Sequence, residues 1–148
     1  MTTNPIENHT SYGGVVYTTE NTSTNIVVCG RKLESSWMWG LPKGTPANNE
    51  TNHETAMREV TEETGLKVSI QSSIGSINYS FVRSLDAAIC HKIVHFYLMN
   101  PTGGSIEDHD NEFDEVKWVN YEESIQMLTH QNEVNIVNQA MDIICREI

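Results

Sequence analysis

Residues 58 to 65 read REVTEETG, and three of these eight positions, Glu59, Glu62 and Glu63, are carboxylates. Spacings of three and four residues put them on one side of a helix, and the glycine that follows is placed to end it. Acids are badly placed there. Like charges at these spacings repel by about a few tenths of a kcal/mol per pair, and the helix C-terminus is already the negative end of the macrodipole. Such a row is either a solvated acidic face or a set of oxygen ligands for a cation.

The helix that carries them can be bounded from its own residues. Thr51 and Glu54 have the spacing of a capping box, which starts the helix, and Gly65 sits where a left-handed C-terminal residue is wanted. Ala56, Met57 and Val60 form its apolar stripe, and the three acids lie mostly off that stripe, facing solvent-filled space. Burying the helix therefore does not require them.

Other elements follow from periodicity. Residues 12 to 18 and 25 to 32 are β-branched runs separated by the polar ENTST, a strand, a turn and a strand. A loop with Trp37, Met38 and Trp39 leads to LPKG. Strand-like runs at 74 to 82 and 91 to 99 alternate well enough to be antiparallel, PTGG at 101 to 104 reads as a turn, and SIEDHDNEFDE is an acidic loop feeding a short strand at EVKWV. From Tyr121 onward apolar residues recur at near-helical spacing, so the C-terminal part packs helices on a sheet. Strands on both sides of a central helix, with helices at the end, describe a mixed α/β layered domain, read as one domain over 1–148.

The charge balance narrows the partners. Nine Lys and Arg against twenty Asp and Glu give a net charge of −11, which disfavours general nucleic-acid or anionic-membrane binding. No apolar run approaches the roughly 20 residues of a membrane span. The N-terminus lacks the basic and apolar regions of a signal peptide, so a cytoplasmic protein is expected. Cys29, Cys90 and Cys145 are far apart and odd in number, which fits buried thiols better than a disulfide framework or a zinc knuckle.

From Gly44 to Leu66 the chain satisfies, at every fixed position, the pattern G-x5-E-x7-R-E-U-x-E-E-x-G-U, with U aliphatic. The fixed residues are Gly44, Glu50, Arg58, Glu59, Val60, Glu62, Glu63, Gly65 and Leu66. At residue frequencies of about one in fifteen, seven specified letters agree by chance roughly once in 10⁸ trials. The sequence thus resembles the Nudix hydrolases. That resemblance implies a mixed sheet between helices, Mg²⁺ or Mn²⁺ as cofactor, and hydrolysis at phosphorus of a nucleoside diphosphate linked to another group. It implies Glu59 and Glu63 as metal ligands, Glu62 as a further ligand, and the Lys43 carbonyl as a backbone ligand, with Glu62, Glu63 and Arg58 among the catalytic residues. Arg58 would orient the glutamates by pairing with Glu50, or else pair with Glu62 one turn on. A late-loop glutamate usually completes the site as ligand or general base. Of Glu107, Glu112 and Glu115, Glu112 lies six residues before Trp118, an offset that resembles several relatives, although loop acids are ordinarily only solubilisers.

Substrate choice lies outside the box. Pro-Lys-Gly at 42 to 44 resembles diadenosine polyphosphate hydrolases, whereas triphosphate-cleaning members more often carry Pro-Gly-Gly there. Lys43, Arg31, Lys32 and Lys92 are candidate phosphate contacts, each otherwise a surface cation. Tyr79, Phe81, His95 and Tyr97 are candidate stacking surfaces for a base, each otherwise core. The first expectation is a dinucleoside polyphosphate such as diadenosine tetraphosphate. The alternatives are a nucleoside triphosphate such as oxidised dGTP, a sugar nucleotide such as ADP-ribose, or a non-catalytic binding module. A homodimer is open, since relatives occur as monomers and dimers.

Overall fold

The computed structural model describes residues 4–147. Seven strands form one sheet, β1 (Ile6–Glu20), β2 (Ser23–Lys32), β3 (Trp37–Gly40), β4 (Lys43–Gly44), β5 (Leu66–Val82), β6 (Ile89–Gly104) and β7 (Glu115–Asn120). Three α-helices cover it, α1 (Asn52–Thr64), α2 (Tyr121–Met127) and α3 (Gln131–Arg146). The strand order is β3-β2-β1-β6-β5, with β4 added to β1 and β7 to β2. β1 pairs in parallel with β6 from Ile6 to Val16, and its other pairings are antiparallel.

Alternation along the central strands divides the core in two. Val15, Ile26, Val28, Phe96 and Leu98 face α2 and α3, where they meet Leu128, Val137 and Ile144. Their neighbours Val16, Val27, Cys29, Tyr97 and Met99 face α1 through Ala56 and Val60. The period of two in a strand produces this division, so both faces of the sheet are apolar and both are covered. The result is an α/β/α sandwich.

Several local readings are corrected. Trp37–Gly40 is a strand, not a loop, and Trp39 packs flat on Gly30 of β2, where a Cβ would come within 2.5 Å of the indole. Residues 101 to 104 continue β6 rather than turn, with Leu66 paired to Gly104. Cys29 and Cys90 are buried, but Cys145 is exposed on the last turn of α3. The helices expected after Tyr121 are present, α2 ending at the Leu128 cap and α3 starting at Gln131. Among the described residues no helix is long and apolar enough to cross a membrane.

Candidate active site

Helix α1 forms as its caps dictate. The Thr51 hydroxyl accepts from Glu54 N–H, the Glu54 carboxylate accepts from Thr51 N–H, and Gly65 closes the helix at φ 80°. The closing glycine cannot carry a side chain, because a Cβ there would lie 2.1 Å from the Ser105 carbonyl oxygen. That contact, with Ser105 N–H donating to Gly65 and Asp110 N–H donating to Glu62, moors the acidic loop against the end of α1.

Arg58 organises the outer acids. Its Nε donates to Glu50 at 2.5 Å, its Nη1 to Glu59 at 2.8 Å and to Glu62 at 3.3 Å, and its Nη2 to the Thr45 carbonyl at 3.0 Å. Both pairings considered from the sequence, with Glu50 and with Glu62, are present. The Arg58 hydrogen bond first, then the Ala47 N–H, lower the Glu50 carboxyl to about 2. Glu59 shifts the other way, since burial outweighs Arg58.

Glu63 overturns one expectation. It does not face solvent-filled space: it is 2% exposed, among the largest fully enclosed side chains, and its carboxylate accepts from Lys43 N–H at 3.1 Å. Burial, and then the charges of Glu112 and Glu59, push its pKa up to about 9. Glu59 lies so close to Gly44 that a Cβ on Gly44 would fall 2.1 Å from its carboxyl carbon, so only glycine leaves room for it.

Sequence reasoning missed Glu133. This residue stands in the first turn of α3, is 3% exposed, accepts from Leu41 N–H at 2.6 Å, and places its second oxygen 3.7 Å from Lys43 Nζ. In the sequence it looks like an ordinary acid at a helix N-terminus, so periodicity gave no signal. The segment from Leu41 to Gly44 is therefore gripped by two buried glutamates, one from each helical layer.

These groups surround a cleft of about 400 Å³. Glu59, Glu63 and Glu133 line it together with Lys43, Lys92 and Glu112. Glu62, half exposed and turned to Arg58, is not among the lining residues. Glu107 and Glu115 do not line it either. Arg31 lies on the rim, but its guanidinium is engaged by the loop: it sits 3.7 Å from the Glu112 carboxylate, donates to the Glu112 carbonyl and covers the Phe113 ring. Lys92 is half buried beside Lys43, and burial first, then the Lys43 charge, lowers its pKa. Lys32 is exposed and its backbone N–H donates to Asp114. Tyr79 lines an adjoining cavity of about 340 Å³ that shares Met38, Lys43 and Glu133 with the first. Tyr97 and His95 are occupied within the fold, against His53 and Tyr12 respectively, while Phe81 stacks on Tyr79.

The donor set suits a hard divalent cation. Glu59 and Glu63 line the cleft together, the Glu59 charge acts on Glu63, oxygen is the only donor element, and buried acids are stabilised by added positive charge, so the chemistry fits. The arrangement is not a closed cage: among the described residues no three His, Cys, Asp or Glu converge, and Glu59 and Glu62 both turn to Arg58.

The family model described as NUDIX domain matches residues 7–138. The chain belongs to the Nudix family. It is 41% identical over 107 residues to the protein named MutT4, a mutator protein, of Mycobacterium tuberculosis (strain CDC 1551 / Oshkosh), covering 72% of this chain and 42% of that one. It is 26% identical over 101 residues to an 8-oxo-(d)GTP phosphatase of Mycolicibacterium smegmatis (strain ATCC 700084 / mc(2)155), covering 68% of this chain and 29% of that one. The chain spans less than half the length of the curated relatives it matches. A C. elegans Ap4A hydrolase in binary complex superposes with a TM-score of 0.70 at 14% identity over 93% of this chain and 98% of that one, a likeness of fold.

Proposed function

We propose that this Nudix chain hydrolyses a pyrophosphate bond in a nucleoside diphosphate linked to another group, with Mg²⁺ or Mn²⁺ held by Glu59 and Glu63, by Glu62 as a further ligand, and by the Lys43 carbonyl. The observation that carries the reading is one cleft lined both by the acids Glu59 and Glu63 and by the lysines Lys43 and Lys92. Acids alone would repel a polyphosphate and lysines alone would leave the acids uncompensated. Both together suit a metal-bound phosphate chain.

When bound, the cations neutralise the phosphate oxygens and make a water more acidic. The protein does the rest. Arg58 fixes the outer acids by direct hydrogen bonds, and Lys43 and Lys92 take phosphate oxygens through their amines. Glu112, held over the cleft by Arg31, accepts the proton of the attacking water at its carboxylate. Arg31 thus acts on the loop more than on the substrate. Glu63 keeps its buried place by accepting the Lys43 N–H, which holds the backbone carbonyl segment against α1.

Lys43 and Lys92 both line the cleft, which favours a substrate with several phosphates over a sugar nucleotide. We put a dinucleoside polyphosphate such as diadenosine tetraphosphate first. It is supported by Pro42-Lys43-Gly44 and by the adjoining cavity, where Tyr79 offers a stacking face for a second base. Oxidised dGTP is the second reading, favoured by the name of one sequence relative, an 8-oxo-(d)GTP phosphatase. Small nucleotides rather than nucleic acids fit the charge of −11, and free cysteines fit the cytoplasm.

A substrate panel with Mg²⁺ and with Mn²⁺, followed by chromatography of products, tests this. Diadenosine tetraphosphate yields ATP and AMP, and a triphosphate yields monophosphate and pyrophosphate. Tight nucleotide binding with no metal-dependent release from any diphosphate compound would instead make the chain a binding module.

A further inference from the structure

Helix α3 does not cover the whole of its face of the sheet. Side chains on β1, β6 and β5 alternate between the two faces, and the register here is unbroken, β1 on β6 from Ile6 to Val16 and β5 on β6 from Gly75 to Val82. Val94 and Ile77 stand side by side in the core under α3. Two residues along each strand, the next row on the same face is His9 beside Lys92 beside Tyr79. This row is half open, with the His9 side chain 39% exposed and Tyr79 36%.

Lys92 is the member of the row that calls for a ligand. Arg31, Lys43, Arg58 and Arg83 each pair with a carboxylate, whereas among the described residues Lys92 pairs with none, in a chain that carries twenty acids. It also lines the cleft. A partly buried cation with no acid beside it stays uncompensated until an anion arrives. Neighbouring strands stand about 4.8 Å apart, so the His9 imidazole reaches the same anion from the side of β1. The one acid beside His9 is Glu7, 3.2 Å from its Nε2, and Glu7 is itself held by Arg83, which also binds Asp86. The charge of Glu7 is thus already balanced. With Nε2 turned to Glu7, Nδ1 is the ring nitrogen that can meet an anion, donating once the ring is protonated.

We propose, resting on the reading of the cleft as the seat of a metal-bound phosphate chain, that His9 is a further phosphate contact, which takes the part of the chain beyond the two phosphates at the acids. Lys43 pairs with Gly13, four residues along β1 from His9, a separation of about 13 Å at the rise of a strand. Lys43, Lys92 and His9 therefore form a line of positive groups leading away from Glu63, which accepts the Lys43 N–H. A pyrophosphate at the acids uses Lys43 and Lys92, and a third phosphate is the first to reach His9. The site thereby selects for chain length. Tyr79, on the other side of Lys92, keeps its ring free for a base.

Isothermal titration calorimetry of the full chain with Mg²⁺ tests this, at about pH 6, where an imidazole takes up a proton. Inorganic pyrophosphate is compared with inorganic tripolyphosphate, and the wild type should bind tripolyphosphate more tightly. His9→Ala should weaken tripolyphosphate by about 5- to 10-fold, the worth of one charge-assisted hydrogen bond at an open site, and leave pyrophosphate as it was. His91→Ala removes an imidazole adjacent to Lys92 in sequence but on the opposite face, where it meets Ser80, and should alter neither anion. Circular dichroism melts confirm that both variants are folded. The proposal is overturned by a wild type that binds tripolyphosphate no more tightly than pyrophosphate, by a His9→Ala protein that keeps wild-type affinity or loses both anions equally, or by a His91→Ala loss as large as that of His9→Ala. Calorimetry reads the phosphate contact and the product panel reads hydrolysis, so either can fail while the other holds.

Discussion

Glu63 and Glu133 sit at mirrored places in the molecule, one in the last turn of α1 and one in the first turn of α3, and they grip the same short segment from opposite layers. Each is almost wholly buried, and each accepts one backbone N–H, from Lys43 and from Leu41 respectively. Their remaining surroundings differ. Glu133 has the Lys43 amine 3.7 Å away, a cationic partner within the fold. Glu63 has two more acids, Glu59 and Glu112, as its charged neighbours, along with the more distant attraction of Lys43. A buried charge that is paired is a structural fixture, whereas one surrounded by like charge calls for something from outside. The same residue type in the same kind of hydrogen bond thus marks architecture on one side and chemistry on the other.

Four measurements would break or sharpen that contrast. The largest effect is expected at Glu63. In Glu63→Gln the amide oxygen still accepts the Lys43 N–H, so the fold should persist, while metal-dependent turnover falls by up to about 10⁴-fold, the upper range for loss of an essential acid-base or ligand group. Survival of activity within a few-fold would remove Glu63 from the metal site. Next comes Glu112, the half-exposed third acid. Glu112→Gln should lower kcat by about 10²-fold and remove one limb of the pH-rate profile. An unchanged profile would return the base role to the α1 acids.

Glu133 should read out in stability. Glu133→Ala leaves the wholly buried Leu41 N–H without its acceptor, at a cost of about 1–3 kcal/mol, and Tm should fall by about 2–4 °C for each kcal/mol. Glu133→Gln restores an acceptor and should recover most of that loss in a thermal melt. Equal losses in the two variants would mean that the ion pair with Lys43, not the hydrogen bond, carries the effect.

The smallest effect belongs to Glu50, a carboxylate anchored by Arg58 at the outer edge. Its pKa is lowered from 4.5 to about 2, so its contribution is present above pH 4.5 and is lost as pH falls through about 2. In acid titrations followed by circular dichroism, Glu50→Gln should show a shallower loss of stability between those limits than wild type. Parallel curves would mean that the Arg58 pair adds nothing to folding.

Helix α1 was legible in the sequence because its signals are local: Thr51 and Glu54 cap each other three residues apart, and Gly65 adopts the left-handed conformation its position requires. The box identified the family for the same reason, since its fixed letters all fall between Gly44 and Leu66. Glu63 was located but its burial was not, because periodicity places a side chain on a helix face and does not show that Lys43 and the sheet close over that face. Glu133 was invisible because the N–H it serves is 92 residues away. The strand at Trp37–Gly40 is four residues long, too short to alternate detectably, and exists because the Trp39 ring fits on Gly30. Non-local contacts set each of these, and a single sequence encodes them without displaying them.

The parallel pairing of β1 with β6 has a consequence in time. Ile6 pairs with Ile89 and Val16 with Met99, so every rung joins residues separated by more than half the chain. Pairings this distant close slowly, and proteins built on them fold on the order of milliseconds to seconds. A chain emerging from a ribosome shows α1 and its acids early, when β6 with Lys92 has not been made and α3 with Glu133 is still to come. The cleft can exist only once α3 has been made, so the acids of α1 wait for the two residues, Lys92 and Glu133, that complete its lining.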